Sequence, residues 1–218
     1  MTLLLSALGG VLALDATSLG QFMVSRPLVG GALTGWLIGD PVLGLEMGAI
    51  LELFHIGSMP AGGSRVPEAG PASVASVAVA ASWGGAPGIV LGTVVGLVTS
   101  DLGGMTIGVQ RHVSAALIGR VEAGAVTPGY LDATHLAVMA LDFFRGAAVT
   151  AVATLAGSWL AGALGSWWTL GYGPTVGIVL VGASIHLGAL LKGFGGWRSR
   201  RVMFMVGVVA GIVGAYLA

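Results

Sequence analysis

Long apolar stretches alternate with short polar breaks along the whole chain. The apolar stretches cover residues 1–14, 28–38, 42–59, 72–100, 113–118 with its neighbours, 136–164, 175–191 and 202–218. Crossing a bilayer takes about 20 apolar residues, whereas a run of 10–14 suits a re-entrant or interfacial piece. The stretch 28–38 is one such short run, bounded by Arg26-Pro27 and by Gly39-Asp40-Pro41. The stretch 72–100 is long enough to span, but Trp83-Gly84-Gly85-Ala86-Pro87-Gly88 interrupts it. Glycine and proline at that point predict a break into two halves rather than one straight helix. The pattern predicts an all-α polytopic integral membrane protein with several transmembrane helices and re-entrant or broken half-helices. In membrane chains, short and interrupted segments of this kind are where binding regions are built.

Composition explains why lipid, not water, must cover this chain. Of 218 residues, 56% are hydrophobic and 8% charged, and mean hydropathy is +0.96. A soluble domain carries about 25% charged residues. Glycine supplies 39 positions, and abundant Leu, Val and Ile set the chain apart from glycine-rich disorder. Small residues recur at four-residue spacing, at Gly31/Gly35/Gly39, Gly44/Gly48, Gly92/Gly96, Gly173/Gly177 and Gly207/Gly211. That spacing lets helix backbones approach closely in lipid. Residues 2–14 have no Lys or Arg before them, the first being Arg26, so they do not read as a secretory signal. The chain holds no cysteine and its formal charge is zero. Thiolate metal sites are therefore excluded, and no nucleic-acid partner is expected. No Ser/Pro linker or polar domain is present, so residues 1–218 read as a single membrane domain.

Lys and Arg in short loops set orientation. Arg111, His112 and Arg120 form one cluster, and Lys192, Arg198, Arg200 and Arg201 another. The two long apolar stretches between them return the chain to the same side, so both clusters are expected on the cytoplasmic face. The last span then carries the C-terminus outward.

Charges inside apolar stretches cost about 2.5–3.5 kcal/mol each on insertion scales and mark function by default. Asp40, Glu46, Glu52, Asp142 and Arg145 are the candidates. Asp142 and Arg145 lie three apart and share a helix face. They read as a structural ion pair that orients its helix, and Arg145 facing a substrate phosphate or a partner subunit is the alternative. Glu52 and His55 are likewise three apart, within Gly44-Leu-Glu-Met-Gly-Ala-Ile-Leu-Glu-Leu-Phe-His-Ile-Gly57. A carboxylate accepts hydrogen bonds in fixed directions and suits hydroxyl recognition. The competing reading is a buried Glu held by backbone donors at a helix break. The four histidines, His55, His112, His135 and His186, have no paired ligand spacing, so no metal and no cofactor are expected. No phosphate-binding loop, nucleophile elbow or dinucleotide fingerprint is present. Chemistry by this chain alone is not expected.

Three ordered motifs carry a resemblance. Gly20-Gln-Phe-Met-Val-Ser-Arg-Pro-Leu-Val29 is followed by Gly35-Trp-Leu-Ile-Gly-Asp-Pro41, then by Gly44-Leu45 and Gly48-Ala-Ile-Leu-Glu-Leu53. The glycine- and proline-rich stretch Gly57-Ser-Met-Pro-Ala-Gly-Gly-Ser-Arg-Val-Pro-Glu68 comes next. From about Asp15 to Glu68 the chain resembles component IIC of the mannose/fructose/sorbose-type phosphotransferase system. Beyond that the resemblance rests on glycine-rich hydropathy and on His135 and Arg145. It implies a multi-pass subunit of the cell inner membrane that carries a mannose-type hexose inward, pairs with a homologous IID membrane subunit and assembles as a trimer of such pairs. It also implies phosphorylation by a soluble IIB subunit charged by IIA, and short re-entrant hairpins that help form the sugar site. By position, Glu52 is the implied sugar-hydroxyl ligand, with Gln21, Arg26, Asp40 and Gly57 shaping or supporting the site; His55 joins these substrate-binding candidates through its spacing to Glu52. Pro67-Glu68-Ala-Gly-Pro71 departs from the family's usual Pro-Asp, and the chain is shorter than usual. Two other classes fit the residues: a non-transporting regulatory or assembly subunit that keeps the fold, and an ion-coupled transporter using Asp142 and Arg145.

Overall fold

The computed structural model describes residues 1–58, 66–118, 127–165, 167–193 and 195–217, without the side chains of residues 189, 196, 197, 199, 200, 210–212 and 214–217. Residues 59–65 of the glycine- and proline-rich stretch and Arg120 lie outside the described residues, as do the side chains of Arg200 and Gly211. The described residues form eight helices: α1 (Thr2–Thr17), α2 (Pro27–Ile38), α3 (Pro41–His55), α4 (Ala69–Trp83), α5 (Gly85–Ile118), α6 (Pro128–Leu164), α7 (Tyr172–Gly193) and α8 (Gly196–Leu217). Of these, α5, α6 and α7 are long and apolar enough to cross a membrane.

Helix α4 is the axis of the bundle. Every residue from Gly70 to Ala80 is buried, and α1, α2, α3, α5 and α6 all pack against it. Its sequence, Gly-Pro-Ala-Ser-Val-Ala-Ser-Val-Ala-Val-Ala, explains why. Small side chains on all sides let five neighbours approach, as helix contacts in lipid require. The break expected at 83–88 is present: α4 ends at Trp83, and Gly84 turns the chain at φ +75°.

The α2–α3 hairpin is short and dense. Pro27 opens α2, and Gly39 ends it in the left-handed region at φ +85°. Asp40 then caps α3, its side chain accepting the Leu43 N–H at 3.0 Å, with Pro41 at the first helical position. A Cβ placed on Gly31 would sit 2.7 Å from the Gly48 Cα, and one on Gly35 2.7 Å from the Gly44 Cα. Backbone therefore meets backbone along the hairpin, the geometry that the four-residue glycine spacing permits. The same spacing does nothing comparable in α7, where Gly173 and Gly177 have no neighbour within 4 Å.

Two boundaries differ from the hydropathy pattern. Residues 113–118 are not a separate element but the last turns of α5, which runs unbroken through Asp101, Gln110, Arg111 and His112. Polar residues lower hydropathy without breaking backbone hydrogen bonds, and glycines in lipid-facing helices are tolerated. Helix α6 begins at Pro128, ahead of the apolar stretch, because Thr127 caps it by accepting the Tyr130 N–H at 3.3 Å.

Candidate functional site

The end of α1, the 19–26 loop, the end of α3, residues 66–69 and the second half of α5 enclose a cavity of about 710 Å³. Its polar lining comes from Asp15, Gln21, Ser25, Arg26, His55, Glu68, Arg111 and His112. Met105, Ile107 and Val109 of α5 supply much of the apolar wall. A small, mostly apolar concavity with a few convergent polar groups is the usual build of a small-molecule site.

The 19–26 loop wraps around Asp15. The Phe22 and Ser25 backbone N–H groups donate to its two carboxylate oxygens, each at 2.7 Å. Within that loop Gly20, Gln21 and Met23 all take positive φ, at +76°, +52° and +65°. The tight fold places Gln21 and Arg26 at the cavity together.

His55 reaches the cavity from the last turn of α3 and is 3% exposed. Its Nδ1 lies 2.8 Å from the Leu51 carbonyl oxygen. A carbonyl can only accept, so Nδ1 carries the hydrogen and Nε2 is left as the second polar position. His112 repeats the arrangement with the Gly108 carbonyl at 2.8 Å.

Behind the Glu68 wall lies a buried charge cluster. Arg145 Nη1 and Nη2 donate to the two Glu68 carboxylate oxygens at 2.6 Å each. Nη2 and Nε also donate to Asp142 Oδ1, at 2.7 and 3.2 Å. Gln110 and Thr106 of α5 accept the rest, at 2.7 and 2.9 Å. The other Asp142 oxygen accepts from Ser18 Oγ at 2.5 Å and from Thr17 Oγ1, at the end of α1. The Glu68 and Asp142 side chains are fully buried. A planar guanidinium with five donors is suited to join two carboxylates and two amide or hydroxyl acceptors at once. Gly103 makes room for it: a Cβ there would meet Glu68 Oε2 at 2.6 Å.

The structure sorts the residues singled out in the sequence. Gln21, Arg26 and His55 come together at the cavity. Glu52 stands behind the lining: its carboxylate pairs with the cavity residue Arg26 and accepts the Leu28 N–H at 3.3 Å, across the base of the α2–α3 hairpin. Asp40 caps α3 at the hairpin's turn, away from the cavity. Gly57 lies against Leu190 of α7, whose Cδ2 would be 2.2 Å from an added Cβ. Glu46 accepts a hydrogen bond from the Tyr172 hydroxyl at the start of α7. Asp142 and Arg145 do pair, at 2.7 Å, but as part of a three-charge cluster with Glu68. Asp15 and Glu68 were the residues that spacing alone did not single out. Asp15 ends an apolar helix and Glu68 sits in a proline-rich loop, and neither has a periodic partner.

An all-helical membrane bundle with a mostly apolar cavity that gathers a few polar groups has the build of a transporter subunit. Comparison with known proteins makes that specific. The profile of the family described as PTS system sorbose-specific IIC component matches residues 1–157, so the chain belongs to that family. Components of this kind are transporter membrane subunits of the phosphotransferase system, with phosphoryl transfer carried by IIA and IIB. The sorbose-specific EIIC component of Lacticaseibacillus casei is 36% identical over 58 residues, 27% of this chain and 21% of that protein's length. One solved structure, described as a membrane protein, superposes with a TM-score of 0.68 at 19% identity, over 99% of this chain and 94% of the other. A chain from the cryo-electron microscopy structure of the mannose transporter ManYZ in complex with microcin E492 gives 0.59 at 18% identity, over 100% and 91%. Both likenesses concern the fold.

Proposed function

We propose that this chain, as one membrane domain, translocates a hexose of the mannose type through the cell inner membrane for phosphorylation by a partner IIB. The cavity walled by Gln21, Ser25, Arg26, His55 and His112 carries this reading, because it gathers the polar groups of the N-terminal motif at one concavity. A hexose presents hydroxyls as donors and acceptors, and amide, guanidinium and imidazole groups answer both. Gln21, Arg26 and His55 bind the sugar in this reading. Glu52 acts through Arg26, while Asp40 and Gly57 shape the hairpin and its contact with α7. The family and the fold support pairing with a IID subunit and a trimer of such pairs, with soluble IIA and IIB at the face bearing Arg111, Lys192, Arg198 and Arg201.

The test is uptake of labelled hexose by cells expressing the chain with its IIA, IIB and IID partners. Gln21→Ala is expected to raise KM about tenfold at unchanged membrane abundance, the loss of roughly one directed hydrogen-bond contact. Uptake that persists with wild-type KM would remove the cavity from the transport path.

A further inference from the structure

We infer that Asp15 is a positioning residue for the sugar: its carboxylate is the template on which the 19–26 loop folds, and so it fixes Gln21 and Arg26 at the cavity. The inference rests on the cavity being the sugar site, and it adds a residue with no sugar-binding role assigned above.

Asp15 stands where an acid is least expected. It lies in the last turn of α1, whose C-terminal end carries the negative pole of the helix dipole and disfavours anions. It is also 7% exposed, in an apolar helix. A buried carboxylate persists only where donors replace its water. Both donors come from the loop, the Phe22 and Ser25 N–H groups at 2.7 Å, and hydrogen bonds to an ionised acceptor are the strong ones.

The loop in turn needs the carboxylate. Gln21 and Met23 are not glycine, yet both hold left-handed φ, a conformation that survives only when its surroundings over-determine it. The two bonds bracket Met23 directly, one on its N-terminal neighbour and one two residues further on. They also fix Gln21, which directly precedes Phe22, and Arg26, which directly follows Ser25. A hydrophobic contact offers these N–H groups no acceptor, whereas the two carboxylate oxygens take one each. Asparagine offers one carbonyl oxygen and an NH₂ that repels the second donor.

The chain's lack of cysteine gives a clean reporter. In a Met23→Cys background, the maleimide labelling rate of the membrane-embedded protein without sugar is compared between Asp15 and Asp15→Asn. Asp15→Asn is expected to change that rate at least threefold. In the cysteine-free chain it is expected to raise hexose KM at least fivefold, with maximal velocity per molecule within twofold. An unchanged labelling rate would overturn the template role, whatever transport does. A changed rate with unchanged KM would keep the loop contact but overturn its part in sugar positioning. Should Asp15→Asn fail to accumulate, hydrogen exchange on the wild-type protein decides. Phe22 and Ser25 amides are expected to exchange at least tenfold more slowly than unstructured amides, and exchange at the unstructured rate overturns the inference. If no hexose is taken up by the wild type, the transport reading fails while the labelling and exchange results still judge the loop.

Discussion

The α2–α3 hairpin and the consecutive helices α7 and α8 place two helices in an apolar surround in opposite ways. The first is short, of 12 and 15 residues, and its glycines bring backbone onto backbone. A charge pair at its base, Arg26 with Glu52, and a capping Asp40 at its turn hold its ends. The second is long, of 22 and 22 residues, and its glycines Gly173 and Gly177 touch nothing. Among its described side chains, helix α7 buries a narrow stripe, Thr175, Val179 and Ala183, and packs on α3 and α5. Helix α8 packs only on α7 among the described elements, and its described side chains from Val202 to Val209 are exposed. A short hairpin cannot reach across a bilayer and must be held by protein, so its small and charged residues are constrained. Long apolar helices that make so few contacts within the chain are expected to tolerate change.

The largest expected effect lies outside both regions, in the charge cluster that ties the end of α1 and the start of α4 to α5 and α6. Arg145→Met leaves Glu68 and Asp142 buried without a counter-charge, a loss of about 3–5 kcal/mol. The protein is then expected to disappear from membranes or to lose its thermal transition in detergent, and wild-type abundance would refute the role of the cluster. Arg145→Lys keeps the charge but not the fork, and is expected to fall between the two. Next in size is Gly44→Leu, which drives a side chain into the backbone of α2 and costs about 1–3 kcal/mol or more. The matched change Gly177→Leu in α7 is expected to stay within about 0.5 kcal/mol, as at sites without neighbours. Equal effects of the two in thermal unfolding would erase the distinction between the α2–α3 hairpin and α7. Glu52→Gln is also expected to have a small stability effect. Its partner Arg26 is about a third exposed, and such pairs contribute about 0–1 kcal/mol. Stability is expected to hold while hexose KM rises severalfold, because Arg26 loses its anchor.

Much of this was legible in the sequence. Hydropathy and composition established a helical membrane chain, and the Gly-Asp-Pro run at 39–41 marked the hairpin turn through the preferences of glycine, an Asp cap and proline. The glycine and proline at 84–88 marked the break between α4 and α5. The glycine spacing was right for Gly31/Gly35 against Gly44/Gly48 and uninformative for Gly173/Gly177, because spacing gives a face but not what it meets. Gln21 and Arg26 were found from an ordered motif, and His55 from its spacing to Glu52. Asp15 and Glu68 were not singled out as site residues, because each is held by partners distant in sequence: backbone amides seven and ten residues on for Asp15, and Arg145 on another helix for Glu68. Glu52 and His55 share a helix face by spacing, yet a 3.6-residue repeat leaves their side chains far enough apart in angle to serve different neighbours.

The most direct test of the cavity as the sugar site is hexose binding to purified protein assembled with its IID partner, with Gln21→Ala set against Glu46→Gln. Glu46 bonds to Tyr172 away from the cavity, so its change is expected to leave the dissociation constant within twofold. Gln21→Ala is expected to weaken binding about tenfold, or about 1.4 kcal/mol. The same dissociation constant in both variants would contradict the assignment.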